Sequence, residues 1–281
     1  MRILHRFGLR PSSAQRRELT ALGVDLGKEI ILPGGGDPIV AFDLDEEHPN
    51  WVAASSLLRR WDASDIPRTE FTPKEIDAAQ WLEITAWHHG YPQPEDSFGY
   101  LSGTYDLAAW CESCGIGAKQ KAPFRMKGEP RWGRRGVLHL NWVFDELFVT
   151  PEVWKQVFDP AGVSQRAVLS LKGAELTSVV QLVINDEVNI ACDGLPAERC
   201  SRCDRTKYSV VSRGRFPALQ DAPNQPMVRT AQYFGSDALA FQRLLVNRSV
   251  VRAASKAKLR GWTLTPVADR APALPVARAL K

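Results

Sequence analysis

Little in this chain announces an enzyme. Among five histidines and five cysteines, no Ser, Cys or Asp forms a convincing nucleophile–base grouping with a histidine. His48 and His139 stand alone in the sequence, and the adjacent rings of His88 and His89 would face opposite sides of a strand, so one ion could not easily use both. No window approaches the roughly 20 apolar residues of a membrane span, which argues against helical anchoring. The start, Met1-Arg2-Ile3-Leu4-His5-Arg6, leads into Ser12-Ser13-Ala14-Gln15-Arg16-Arg17 without the apolar stretch of a secretory signal. The expected location is therefore the cytoplasm, where thiols stay reduced. A net charge of +4 is too mild to announce nucleic-acid binding by itself. Internal repeats are absent apart from a pair of cysteine motifs. Gly34-Gly35-Gly36 lacks the Gly-Lys-Ser/Thr ending and the following helix of a phosphate loop, and reads as a turn.

What is present is more specific. Four of the five cysteines sit in two Cys-x-x-Cys pairs, Cys111-Glu-Ser-Cys114 and Cys200-Ser-Arg-Cys203, with 85 residues between them. Two such turns, each presenting two thiolates, make the ligand set of a tetrahedral structural Zn²⁺ site. A closed four-thiolate site has no open coordination position, so it argues against metal catalysis. Two alternatives stay open at this point. A redox-active pair would open a helix, where its first thiol becomes acidic; a disulfide within either pair would suit a secreted chain better than this one. Gly115 follows the first pair, as a knuckle turn requires, whereas Asp204 occupies that place after the second. Cys192 ends an apolar run and reads as a small buried hydrophobe.

The length and the 44% hydrophobic content suffice for one large domain or two modest ones. Residues 2–8 read as a strand, followed by a helix capped at Ser12 or Ser13 and closed by Gly23. A short strand at Pro38–Phe42 and a helix at Trp51–Trp61 complete a small α/β unit over 1–68. Phe71-Thr-Pro-Lys-Glu75-Ile76 is a helix start, with Thr72 as cap, Pro73 in the first helical position and Glu75 closing a capping box. Strands are expected at 81–87, 137–144, 179–184 and 206–211, and a loop at 90–103. A helix over Thr150–Phe158 and another over Val250–Arg260, capped by Ser249 and stopped by Gly261, precede an edge strand at Trp262–Val267. The fold class is thus α+β: the N-terminal unit, then a zinc-clamped, mainly antiparallel β core with flanking helices over 69–267, and a disordered tail at 268–281.

Basic residues crowd both cysteine pairs: Lys119, Lys121, Arg125, Lys127, Arg131, Arg134 and Arg135 after the first, Arg199, Arg202, Arg205, Lys207, Arg213 and Arg215 around the second. A metal joining the pairs would merge these into one surface. With Phe124, Trp132 and Tyr208 that surface could hold a nucleic-acid backbone; equally, it could offset the formal −2 charge of four zinc-bound thiolates. The run Asp43, Asp45, Glu46, Glu47 reads as a solvated loop or as a contact surface for a basic partner. Asp145–Glu146, just ahead of the Thr150–Pro151 helix start, reads as acids serving that helix's positive end, with an acid/base pair as the sharper alternative.

Cys111-Glu-Ser-Cys114-Gly115, the second pair near 200 and the ending Ser236-Asp237 … Val246-Asn-Arg-Ser249 … Gly261-Trp-Thr-Leu-Thr-Pro266-Val267 resemble the double-CXXCG motif proteins, which abound in myxobacteria. The resemblance covers roughly 105–267 and leaves the N-terminal unit unexplained. It implies metal-ligand roles for Cys111, Cys114, Cys200 and Cys203, and it supplies no catalytic residue. Some family members are immunity proteins encoded beside contact-delivered toxins. The expectation is a non-enzymatic cytosolic binding protein with structural zinc, an immunity protein whose partner is a cognate toxin. The alternative is a zinc-containing nucleic-acid binder of a bacterial defence system.

Overall fold

Residues 1–31, 38–89, 100–141 and 143–269 are described by the structure, a computed structural model. The turn expected at Gly34–Gly36, most of the 90–103 loop and nearly all of the expected tail lie outside these residues. The chain divides into two units, Met1–Glu75 with Val211–Gly214, and Ile76–Val210 with Arg215–Lys281. The class is α+β.

In the first unit four strands run in the order Glu29–Ile30, Ile39–Asp45, Arg2–Leu9, Ser64–Glu70, every pair antiparallel. Alternation along Ile39–Asp45 turns Val40, Phe42 and Leu44 to one face. There they meet Phe7, with Leu19 from helix Ser13–Ala21 and Leu58 from helix Trp51–Arg60. Ser12 caps the first helix in a reciprocal box with Gln15, and Gly23 follows at φ +75°. Ser64–Glu70 carries Pro67 and a largely exposed face, which is tolerable because the strand is an edge. Thr69 ties this strand to the returning segment: its hydroxyl donates to the Ser212 carbonyl at 3.3 Å and accepts the Gly214 N–H at 2.8 Å.

The second unit has two larger sheets. One orders its strands His88–His89, Val137–Leu140, Val143–Val149, Glu175–Leu182, Gln165–Ser170, Arg125–Met126. The other runs Ala197–Arg199, Thr206–Tyr208, Met227–Phe234, Phe241–Asn247, Trp81–Ala86, Trp262–Pro266. The long pairings are antiparallel, and the short outer strands add a few parallel ones. Val149 and Leu182 of the first sheet share one core with Leu82, Leu244 and Val246 of the second, sealed by Phe158 and by Val250 and Ala254 of helix Arg248–Lys256. Truncating a side chain as enclosed as Phe158 to alanine typically costs about 3–5 kcal/mol. The capping box foreseen at Thr72 forms, with the Thr72 N–H donating to Glu75 at 2.9 Å and the Glu75 N–H to the Thr72 hydroxyl at 3.2 Å.

Three expectations need correcting. The single strand read over 137–144 is a hairpin of two strands that turns after Leu140. Asp145 and Glu146 therefore lie inside a strand and do not serve a helix terminus. The cap of the last helix is Asn247, whose side chain accepts from the Val250 N–H at 3.1 Å, with the Ser249 hydroxyl donating to Asn247 Oδ1; that helix ends at Lys256.

Candidate metal centre and adjoining cavity

The two cysteine turns are built alike. The Gly115 N–H donates to the Cys111 carbonyl at 2.7 Å, and the Asp204 N–H to the Cys200 carbonyl at 2.9 Å. Cys111 N–H reaches Ile116 O, and Cys200 N–H reaches Arg205 O, each at 2.9 Å. Both turns need a left-handed residue after the second cysteine, supplied by Gly115 at φ +79° and Asp204 at φ +66°. A Cβ on Gly115 would fall 2.4 Å from the Ala238 carbonyl, so glycine is required there by close approach as well as by φ. Aspartate tolerates the left-handed region better than most side chains, and Asp204 is further held by an ion pair with Arg199.

These turns bring all four sulfurs within 4.8 Å of one another. Cys111 Sγ stands 3.8 Å from Cys200 Sγ, and Cys114 Sγ 3.6 Å from Cys203 Sγ. A tetrahedron of metal–sulfur bonds of about 2.3 Å has sulfur–sulfur edges of about 3.8 Å. The spacing therefore fits a four-thiolate metal site and is far too long for a disulfide. The four cysteines are positioned to hold a metal ion.

Two cations attend the cluster. The Arg205 guanidinium donates to Cys203 Sγ at 3.3 Å and to the Ala109 carbonyl at 2.9 Å, which holds the Cys203 thiol down at about 6. Lys207 is 3% exposed and donates to the carbonyls of Cys114, at 3.3 Å, and Asp237. Arg205 and Lys207 thus set two positive charges against four thiolates around a divalent ion, which bear a formal −2. By contrast, burial pushes the Cys114 thiol up to about 12. A metal ion removes that proton outright.

Three of the other basic residues are engaged within the protein. Arg202 pairs with Glu112 at 3.5 Å, Arg135 lies 3.9 Å over the Trp87 ring, and Arg213 pairs with Glu46 in the first unit. Of the three aromatics expected beside them, Phe124 is enclosed, whereas Trp132 and Tyr208 are partly exposed. Phe124 is completely buried against Phe148, Trp132 donates its indole N–H inward to the Ser178 carbonyl, and Tyr208 packs on Phe234. The acidic run in the first unit is likewise engaged: Asp43 with Arg68 and Arg6, Asp45 with Arg2, Glu46 with His5 and Arg213. Cys192 is half-buried, and desolvation pushes its thiol up.

Beside the first cysteine turn, Gly115 and Glu112 form part of the wall of a cavity of about 950 Å³. Its floor holds Asp145 and Glu146, together with Arg229, Gln181 and Gln242, which sequence reasoning passed over. Glu146, 6% exposed, accepts from Arg229 at 3.2 Å and from Gln181 at 2.8 Å. Arg229 also donates to the Ile184 carbonyl at 2.6 Å and to Gln242 at 3.4 Å. Asp145 accepts a long, 3.5 Å bond from the Gln242 N–H and a contact from its own backbone N–H. Desolvation pushes both carboxyls up, opposed by the nearby Arg229 charge. Arg229 and Tyr233, both in the cavity lining, flank a register shift between Met227–Phe234 and Phe241–Asn247. The available sequence signal was an Asp-Glu pair inside the apolar run Val143-Phe-Asp-Glu-Leu-Phe-Val149. His139, which had no assigned role, is buried beneath this strand with Nδ1 2.7 Å from the Glu146 carbonyl.

No helix among the described residues is long and apolar enough to cross a membrane. No protein-family model matches the chain, and no curated protein matches it either.

Proposed function

We propose that Cys111, Cys114, Cys200 and Cys203 hold a structural Zn²⁺, and that the protein is a non-enzymatic binding protein that acts in the cytoplasm. On its resemblance to the double-CXXCG proteins, it is an immunity protein that occludes a cognate toxin. The observation that carries the metal reading is the near-tetrahedral spacing of four sulfurs from two remote turns. An all-thiolate set favours zinc among common divalent ions. Bound there, zinc would supply folding energy and no reactive position, because every coordination site is taken by protein. The closed site and the family resemblance support a binding role.

Elemental analysis of the purified full-length chain should return one zinc per molecule. Cys111→Ser should lose that metal and much of the thermal stability; a metal-free wild-type chain that is stably folded would end the zinc reading. The partner is tested separately, by pull-down from cells that also make the product of the neighbouring gene. Failure to recover any protein there would count heavily against the immunity role.

A further inference from the structure

We propose that the cavity beside the cysteine turns is a binding site for an organic cation, an ammonium or guanidinium on an apolar or aromatic stem, with Asp145 as its counter-ion. This goes beyond the function proposed above and does not rest on it. The volume, about 950 Å³, lies at the upper end of ordinary small-molecule sites. Its lining carries five carboxylate residues against three basic ones. Glu112 is paired with Arg202, and Lys119 and Arg166 form no ion pair among the described residues, so the imbalance lies at the floor, where Asp145 and Glu146 face one cation, Arg229. The Arg229 guanidinium is already spent on Glu146, Gln242 and the Ile184 carbonyl, so it has little to offer an anion. Glu146 in turn is satisfied by Arg229 and Gln181. Glu187 accepts from the Gln242 side chain at 2.7 Å.

Asp145 differs from these. Among the described residues its carboxylate accepts only backbone N–H groups, its own and that of Gln242 at 3.5 Å, and it lines the cavity. A half-buried carboxylate that shares one guanidinium, that of Arg229, with a second acid is incompletely balanced, and an incoming ammonium or guanidinium supplies the missing charge with a charge-assisted bond. Burial pushes the Asp145 carboxyl up, and the Arg229 charge opposes it only in part. Tyr105, Trp110, Tyr233 and Phe241 line the same cavity. Aromatic faces attract cations and accept the stem behind them. An anionic ligand would meet two floor carboxylates against one guanidinium, and a neutral apolar one would leave the charge of Asp145 incompletely balanced.

The cation could be a free amine or a basic side chain inserted by a protein. The test is calorimetric titration of the purified protein, as isolated, with tryptamine, phenethylamine and agmatine. The alcohols tryptophol and 2-phenylethanol serve as neutral isosteres. A Gly/Ser-rich nonapeptide with a central Arg, and its Ala counterpart, report the second source. At least one amine, or the Arg peptide, should bind tenfold or more tighter than its uncharged counterpart. Tighter binding of the Arg peptide than of the amines assigns the site to a protein side chain; the reverse assigns it to a small molecule. Asp145→Asn, which keeps an acceptor for the Gln242 N–H, should weaken that binding tenfold or more while the variant unfolds no earlier than wild type. Ala238→Trp at the cavity wall, which leaves every charge in place, should block it. The proposal is overturned if no amine and no Arg peptide binds, if the neutral isosteres bind equally well, or if Asp145→Asn leaves the affinity unchanged.

Discussion

Two strands of this protein carry adjacent acidic groups, and they behave in opposite ways. On Ile39–Asp45, Asp43 faces Arg68 at 3.0 Å and Arg6 at 3.3 Å, and Asp45 faces Arg2 at 2.8 Å, all on partly exposed surface. The Arg68 guanidinium holds the Asp43 carboxyl below its usual range, and the Glu47 N–H, with Arg2 behind it, does the same for Asp45. On Val143–Val149, Asp145 and Glu146 share one guanidinium, that of Arg229, inside a cavity, and desolvation pushes both upward. The longer acidic run is thus electrically settled, and the shorter one is not. Water and counter-ions decide what a run of carboxylates does; their number along the chain does not.

The largest effect expected from disturbing this contrast is Arg229→Met. Arg229 and Glu146 are 15% and 7% exposed, so removing the guanidinium strands two sheltered carboxylates. Loss of one partner of a buried ion pair costs about 3–5 kcal/mol. Urea denaturation at pH 7 should show it, and a change below about 1 kcal/mol would mean that water reaches the site freely. Asp145→Asn should act in the other direction, raising the unfolding midpoint of the ligand-free protein at pH 7 by about 2–4 °C, as roughly 1 kcal/mol does in a domain of this size. The reason is linkage. A carboxyl whose folded pKa is raised contributes most below the ordinary carboxylate range, and that contribution is lost as pH climbs through the folded value. Asp145→Asn should accordingly flatten the gain in stability on mild acidification. If the variant is less stable at every pH, the carboxylate is better compensated than its contacts indicate.

The smallest effect is expected in the first unit. Arg68→Ala should cost about 0.2–1 kcal/mol at low ionic strength and almost nothing in 1 M salt, because exposed pairs are screened. Its pH dependence has the opposite sign to that of the cavity acids. The depressed Asp43 stabilises above the ordinary carboxylate range and stops doing so as pH falls through its lowered value. A salt-insensitive loss of several kcal/mol would erase the distinction between the two strands.

Local chemistry was readable where one short stretch held all of its determinants. Ser12 with Gln15 and Thr72 with Glu75 close their boxes within a single turn, and so their helix starts were plain. The cysteine turns were also visible, although the departure at Asp204 looked like a defect. The left-handed φ at that position shows aspartate carrying out the glycine's task, with space for a side chain that Gly115 does not have. Val137–Phe144 read as one strand because an apolar run without Gly or Pro conceals its turn. Ser64–Glu70 was overlooked because an edge strand needs neither alternation nor freedom from proline. Phe124 and Trp132 resembled a stacking surface, but the fold encloses Phe124 and turns the Trp132 indole N–H inward.

Spacing and residue type alone determined that four thiols come as two chelating turns, where three of the helices begin, and that strands outnumber helices. Tertiary structure alone decided that the turns converge, that Lys207 lies beneath them, and that Arg229 reaches Glu146 across 83 residues to floor a cavity. The physical reason is one of range. Caps and turns are settled by bonds within about four residues, whereas desolvation depends on which distant segments exclude water from a group.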